Sequence, residues 1–153
     1  VSPIPIQGLF ETHLTVQRLA RSIAFYRDIV GLRLAYEVPE RHGAFFWLGV
    51  HGQAMLGLWE IGSAPLNMRL HLAFTCTIAD VLAAPAILTA AGIAVLGIHN
   101  EPVNEPVVIG WMPALTLYFT DPDGHLLEYV AILPEKPRPD LGVVLYSEWL
   151  RRH

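Results

Sequence analysis

Apolar and polar positions fall into two rounds along this chain, and each round predicts the same order of elements. From Gly8 to Val16 the residues alternate, with Glu11, His13 and Thr15 on one side and Thr12, Leu14 and Val16 on the other. That is the two-residue period of a strand. Leu19, Ile23, Tyr26 and Val30 then recur at helical spacing with Arg18, Arg21, Arg27 and Asp28 between them, and Gly31 stands where a helix stops. Residues 32–38, 44–50 and 54–61 read as three short strands, parted by the turn material of Pro39 to Gly43 and His51-Gly52-Gln53. The first round is strand, helix, strand, strand, strand.

The second round follows a Gly, Ser and Pro linker at 62–68. Residues 69–76 predict a strand, and Thr77 with Asp80 three residues on predicts a helix start. The alanine-rich stretch 81–91 predicts a helix ended by Gly92, with Pro85 tolerable if it stands near the helix start. Residues 93–98, 114–120 and 126–133 predict strands, the last two joined by the turn Asp121-Pro122-Asp123-Gly124. Residues 99–113 read as a long loop with three prolines and Trp111, which suits a lid or an interface. The tail 134–153 opens with Pro134, Pro137 and Pro139 and predicts a short helix over 145–151. The expected domains are therefore modules at 8–61 and 69–133, with the linker between them and the tail after them. Repetition of this kind is itself a fold-level signal.

Chemistry enters with four residues that share this repetition. His13 and His71 each open a module, and Glu60 and Glu128 each close one, at offsets of 58 and 68. Two imidazoles and two carboxylates suit a divalent transition ion such as nickel, zinc, iron or manganese. Glu128 shares a strand face with Leu126 and Val130, and Glu60 shares one with Leu56 and Leu58. A carboxylate on an apolar face is costly to bury unless a cation or hydrogen bonds compensate it. Phe45 and Trp47 share a face of one strand and Thr116 and Tyr118 share a face of another, which makes them candidate pocket residues. His125 belongs to the 121–125 turn; His42, His51 and His99 fall in turns or loops and read as solvated.

Composition narrows the picture further. With 53 % hydrophobic and 16 % charged residues, the chain has much apolar surface to bury, some of it against a second subunit. A formal charge of −4 with scattered Lys and Arg excludes a nucleic-acid surface. No apolar run reaches the length of a membrane span, and the opening Val-Ser-Pro-Ile-Pro lacks the pattern of a secretory signal. Cys76, the one cysteine, has no partner for an internal disulfide and reads as a core residue. A reducing, cytoplasmic setting is expected.

Three segments resemble the vicinal oxygen chelate superfamily, the group of glyoxalase I, fosfomycin-resistance thiol transferases, bleomycin-resistance proteins and extradiol dioxygenases. They are His13-Leu14-Thr15-Val16 with 22–32 (Ser-Ile-Ala-Phe-Tyr-Arg-Asp-Ile-Val-Gly-Leu), His71-Leu72-Ala73-Phe74, and 118–128 (Tyr-Phe-Thr-Asp-Pro-Asp-Gly-His-Leu-Leu-Glu). The resemblance implies an α+β fold of two tandem βαβββ modules forming a cup-shaped, incompletely closed mixed β-barrel, completed as a homodimer. It also implies a metal at His13, Glu60, His71 and Glu128, with Glu60 or Glu128 as the base of a glyoxalase-like lyase or isomerase acting on a small oxygenated substrate. The other activities it allows are a fosfomycin-type thiol transfer, a small ring-cleaving dioxygenase, and metal-free drug binding. Two departures bear on the substrate. Gln17 stands where glyoxalase I proteins often carry an Arg after the first His, and residues 70–135 contain no Lys or Arg. A substrate with several anionic groups would find few partners in the second module.

Overall fold

Alternation in the first round produces four strands and one helix in the order read from the sequence. The computed structural model describes residues 8–60 and 69–152, so the linker expected at 62–68 lies outside the described residues. The chain divides into two units, Val1–Met68 and Arg69–His153. Unit 1 contains β1 (Glu11–Val16), α1 (Leu19–Asp28), β2 (Arg33–Val38), β3 (Gly43–Trp47) and β4 (Met55–Glu60). Its sheet runs β1-β4-β3-β2, with β1 parallel to β4 and the other pairs antiparallel. Leu14, Val16, Ala44, Phe46, Leu56 and Leu58 share the buried face. The helix sets Ile23, Phe25 and Tyr26 into the core, with the Tyr26 and Phe46 rings 6.2 Å apart. Gly31, at φ 79°, turns the chain out of α1 in a conformation that costs glycine little.

Unit 2 repeats this plan and extends it. It contains β5 (His71–Thr75), α2 (Ile78–Ala90), β6 (Val107–Ile109), β7 (Ala114–Thr120), β8 (Leu126–Ile132), β9 (Val143–Leu145) and α3 (Tyr146–Arg152). The sheet order is β5-β8-β7-β6-β9, with β5 parallel to β8. Val81, Ala84 and Leu88 of α2 are buried, as are Leu115, Leu117, Phe119, Leu127 and Ala131 of the sheet. The fold is thus α+β, built from two βαβββ modules with open mixed sheets.

Three elements depart from the sequence reading. The strand expected at 93–98 is reduced to single bridges from Leu96 to Pro102 and Tyr118. The β-branched run Val107-Val108-Ile109, inside the stretch read as loop, is the strand that pairs with β7, at residues 114–116, while Leu96 meets it at Tyr118. Pro85 lies in mid-helix rather than near the start, because α2 begins at Ile78. The tail carries a helix over Tyr146–Arg152, with Trp149 fully buried, and it is preceded by β9, which pairs with β6.

Two local features yield measurements. The Thr77 side chain accepts from the Asp80 backbone N–H at the start of α2, so Thr77→Ala is expected to cost about 1 kcal/mol of stability in urea unfolding. Burial, and then the nearby Asp80 charge, hold the Cys76 thiol above its ordinary pKa of 9.0. The folded state therefore keeps this proton longer than the unfolded chain. The stability this contributes is whole below pH 9 and declines as pH rises beyond it. Alkylation of Cys76 by iodoacetamide should accordingly show its half-maximal rate above pH 9; a half-point at or below 9 contradicts the burial argument.

Candidate metal centre

Parallel pairing of β5 with β8 decides what His71 meets. His71 lies opposite Leu126, and Ala73 opposite Glu128; across the next pairing Leu126 faces Thr120, Glu128 faces Tyr118 and Val130 faces Thr116. In-register residues point to one side of a sheet, so His71, Glu128, Tyr118, Thr116 and Thr120 share a face. There His71 Nε2 lies 3.1 Å from Glu128 Oε2, and the His71 and Tyr118 rings are 6.1 Å apart. Thr116 Oγ1 donates to Glu128 Oε1 and also reaches the Tyr129 carbonyl at 3.1 Å. Burial, and then the Glu128 carboxylate, push the Tyr118 phenol up to about 12. At neutral pH it is a hydroxyl with a proton to give.

This pair fits a metal ion on two grounds. Donors each about 2.1 Å from a common ion, at adjacent coordination positions, stand roughly 3 Å apart, as these two atoms do. Glu128 is also buried in a unit whose residues 70–135 hold no Lys or Arg. Hydroxyl donors and an imidazole are what it has for company, and an anion so placed gains from a cation.

Unit 1 arranges its candidates differently. His13 lies opposite Gly57 on β4, and Val16 opposite Glu60. His13 and Gly57 share a face, and Glu60, three residues past Gly57, points to the other. The grouping of Glu60 with His13 is therefore corrected: β4 sets them on opposite sides of the sheet. The Glu60 carboxylate accepts from the Leu19 N–H at 2.6 Å, at the first turn of α1, where Arg18 supplies no side-chain cap. A carboxylate there satisfies an orphan donor and complements the helix dipole. By sheet register the counterpart of Glu128 is Trp59, two residues past the partner of the histidine in each unit.

The face around His13 is aromatic. Phe45 and Trp59 meet its ring edge-on at 5.9 and 5.7 Å, and Arg41 lies 4.8 Å over the Trp59 ring. Gly57 leaves room for the imidazole, since a Cβ there would stand 2.5 Å from His13 Cδ2. His13 Nε2 is 3.0 Å from Glu11 Oε1, so Glu11 is the carboxylate that accompanies this imidazole. Trp47 is drawn to His51, with ring centroids 4.4 Å apart. Among the described residues, no group of three His, Cys, Asp or Glu side chains is close enough to hold an ion together. His125 is buried in its turn as expected, its Nδ1 accepting from the Leu70 N–H at 3.1 Å.

A cleft of about 220 Å³ adjoins His71 and is lined also by Arg69, Asn100, Thr120 and Gly124. Sequence reasoning missed these polar residues, although Arg69 lies two positions before His71 and so shares its face by alternation. A larger groove, about 660 Å³ between α2 and residues 103–106, contains none of the predicted donors.

Comparison with known proteins agrees with the duplicated fold. The family described as the glyoxalase/bleomycin resistance protein/dioxygenase superfamily matches residues 8–129. The chain belongs to this superfamily. As a superfamily member it is similar to an integron cassette protein from the mobile metagenome of the Halifax Harbour sewage outfall, at 32 % identity over 83 % of this chain and 100 % of that one, with a TM-score of 0.70. A lactoylglutathione lyase from Agrobacterium tumefaciens shares the fold at 24 % identity, covering 83 % and 95 % of the two chains, with a TM-score of 0.63. So does the fosfomycin resistance protein FosX of Listeria monocytogenes, solved with Mn(II) and sulfate, at 24 % identity over 86 % and 94 %, with a TM-score of 0.61. Among the described residues, no helix of this superfamily member is long and apolar enough to cross a membrane.

The placement of Glu60 is open to a direct check. Glu60→Ala is expected to lower stability by about 1 kcal/mol through loss of the α1 cap and to leave metal uptake unchanged. Loss of uptake on calorimetric titration with Mn(II) or Ni(II), with stability intact, would return Glu60 to the ligand set.

Proposed function

We propose that this chain is a divalent-metal-dependent enzyme with glyoxalase-like lyase or isomerase chemistry on a small oxygenated substrate, working as a cytoplasmic homodimer. One observation carries the reading: His71 Nε2 and Glu128 Oε2 stand 3.1 Å apart on one sheet face. His71 and Glu128 are the ligands proposed in unit 2, and His13, half exposed on the equivalent face of unit 1, is the ligand proposed in that unit. When bound, such an ion acts as a Lewis acid toward a substrate oxygen. Thr116 holds Glu128 through its second oxygen and leaves Oε2 turned to His71. Tyr118, protonated at neutral pH, can donate to an oxygen on which charge develops. For an isomerisation that moves a proton between adjacent carbons, the proposed bases are Glu11 and Glu128, the carboxylates that accompany an imidazole.

Trp59 favours a second reading. Unit 1 has an indole where unit 2 has Glu128, which leaves one register-matched carboxylate in place of two, and iron oxygenases use one carboxylate. Ring-cleaving dioxygenase and fosfomycin-type thiol transfer therefore stand as the competing activities.

The test measures metal content and activity together. His71→Ala and Glu128→Ala are each expected to reduce Mn(II), Ni(II) or Zn(II) uptake at least tenfold, consistent with removing a ligand. Unchanged uptake in both variants would end the metalloenzyme reading. Turnover of methylglyoxal with a thiol supports the lyase reading. Turnover of catechols with Fe(II), or of fosfomycin with a thiol, would replace it.

A further inference from the structure

The cleft beside His71 holds polar side chains, Arg69, Asn100 and Thr120. Arg69 sits on the His71 side of the strand, and its guanidinium lies over the turn before β8: a Cβ built on Gly124 would find Arg69 Nε at 3.6 Å and Nη2 at 4.0 Å. Gly124, at φ 86°, turns the chain there, and a Cβ at its position would stand in ordinary contact with the guanidinium. Among the described residues no carboxylate forms an ion pair with Arg69. Thr120 lies in the same cross-strand row as His71 and Leu126, so its side chain shares their face. Asn100, held at φ 62° in a turn closed by its own N–H on the Gly97 carbonyl, lines the cleft from the 97–100 loop. Asn is among the few side chains that adopt this left-handed conformation readily.

We propose that this cleft is a subsite for a single carboxylate, and that the substrate is a small monocarboxylic acid whose other oxygens reach His71 and Glu128. Calling the occupant a substrate rests on the metalloenzyme reading; the anion site itself rests on the cleft. A guanidinium presents a planar fork that matches the two oxygens of a carboxylate. The amide of Asn100 and the hydroxyl of Thr120 provide further donors. One guanidinium matches one carboxylate, and with no Lys or Arg in residues 70–135 a dianionic phosphate would find no second cation there. A volume of about 220 Å³ falls below the range of about 300–1,000 Å³ of drug-sized pockets. That size selects a compact acid over a bulky conjugate.

Pyruvate and acetoin (3-hydroxy-2-butanone) differ in a carboxylate against an uncharged hydroxyethyl group, and both can be titrated into the ¹⁵N-labelled chain as isolated, with metal content measured on the same samples. Pyruvate is expected to shift the amides of Asn100, Thr120 and Gly124. Arg69→Gln should weaken it about tenfold while changing acetoin binding by less than twofold. Asn100→Gly keeps the turn conformation, and with Thr120→Val it should weaken pyruvate about threefold; these variants decide the matter if Arg69→Gln fails to fold. Pyruvate binding that ignores all three substitutions overturns the proposal. So does inorganic phosphate that binds more tightly than pyruvate and depends equally on Arg69. Arg69-dependent pyruvate binding in protein that takes up no metal would sustain the anion site and remove the metalloenzyme reading. Metal uptake with Arg69-independent pyruvate binding would do the reverse.

Discussion

A carboxylate buried on a sheet face is the constraint around which unit 2 is arranged. Glu128 occupies a strand whose neighbours are leucine, tyrosine and valine, where an ion without compensation is expensive. Parallel pairing of β5 with β8 brings an imidazole alongside it, and antiparallel pairing with β7 brings two hydroxyl-bearing residues. A slip of one residue in either pairing would turn these side chains to the helix side of the sheet. The hydrophobic seam that fixes the register, Leu115, Leu117, Phe119 and Leu127 against Val81, Ala84 and Leu88, is therefore also what sets the donor atoms. Stability and chemistry share one determinant here.

The same rule explains where reading the sequence succeeded and where it went astray. His71, Glu128, Thr116 and Tyr118 were legible because short, regular strands alternate without interruption, and the structure brings all four to one face. Glu60 misled because chain order and residue type were weighed ahead of strand phase. Counting from the paired histidine shows the indole of Trp59, not the following carboxylate, in the matching place. That distinction depends on which residue lies across from His13, and pairing is not visible in a single strand. The strand read at residues 93–98 failed for a related reason. Its alternation is adequate, but Leu96 alone of the segment bridges β7, at Tyr118, whereas the buried Val107-Val108-Ile109 forms a continuous ladder with residues 114–116. Arg69 is hard to see in the sequence because it directly precedes the stretch 70–135, whose lack of Lys and Arg is the stronger signal.

The two units show what duplication leaves free to change. Each retains the strand order and the parallel pair, which the core requires. The face opposite the helix carries a carboxylate and hydroxyls in one unit, and an aromatic group around His13 in the other. Gly57 and Gly43 are the residues that permit the second arrangement, since a Cβ at either would collide with His13 or Trp59. Small residues at two positions thus make room for large rings, and the backbone of the sheet need not move.

β9 belongs to the part of the chain that follows the family match. It covers β6, whose three residues are all apolar and buried, and Trp149 and the Arg138 contact to the Arg152 carbonyl hold it there. Strip that strand away and the amide and carbonyl row of Val107-Val108-Ile109 becomes a template for any extended chain that meets it. The C-terminal segment therefore moves the open edge of the sheet from an apolar, buried strand to a three-residue, partly exposed one.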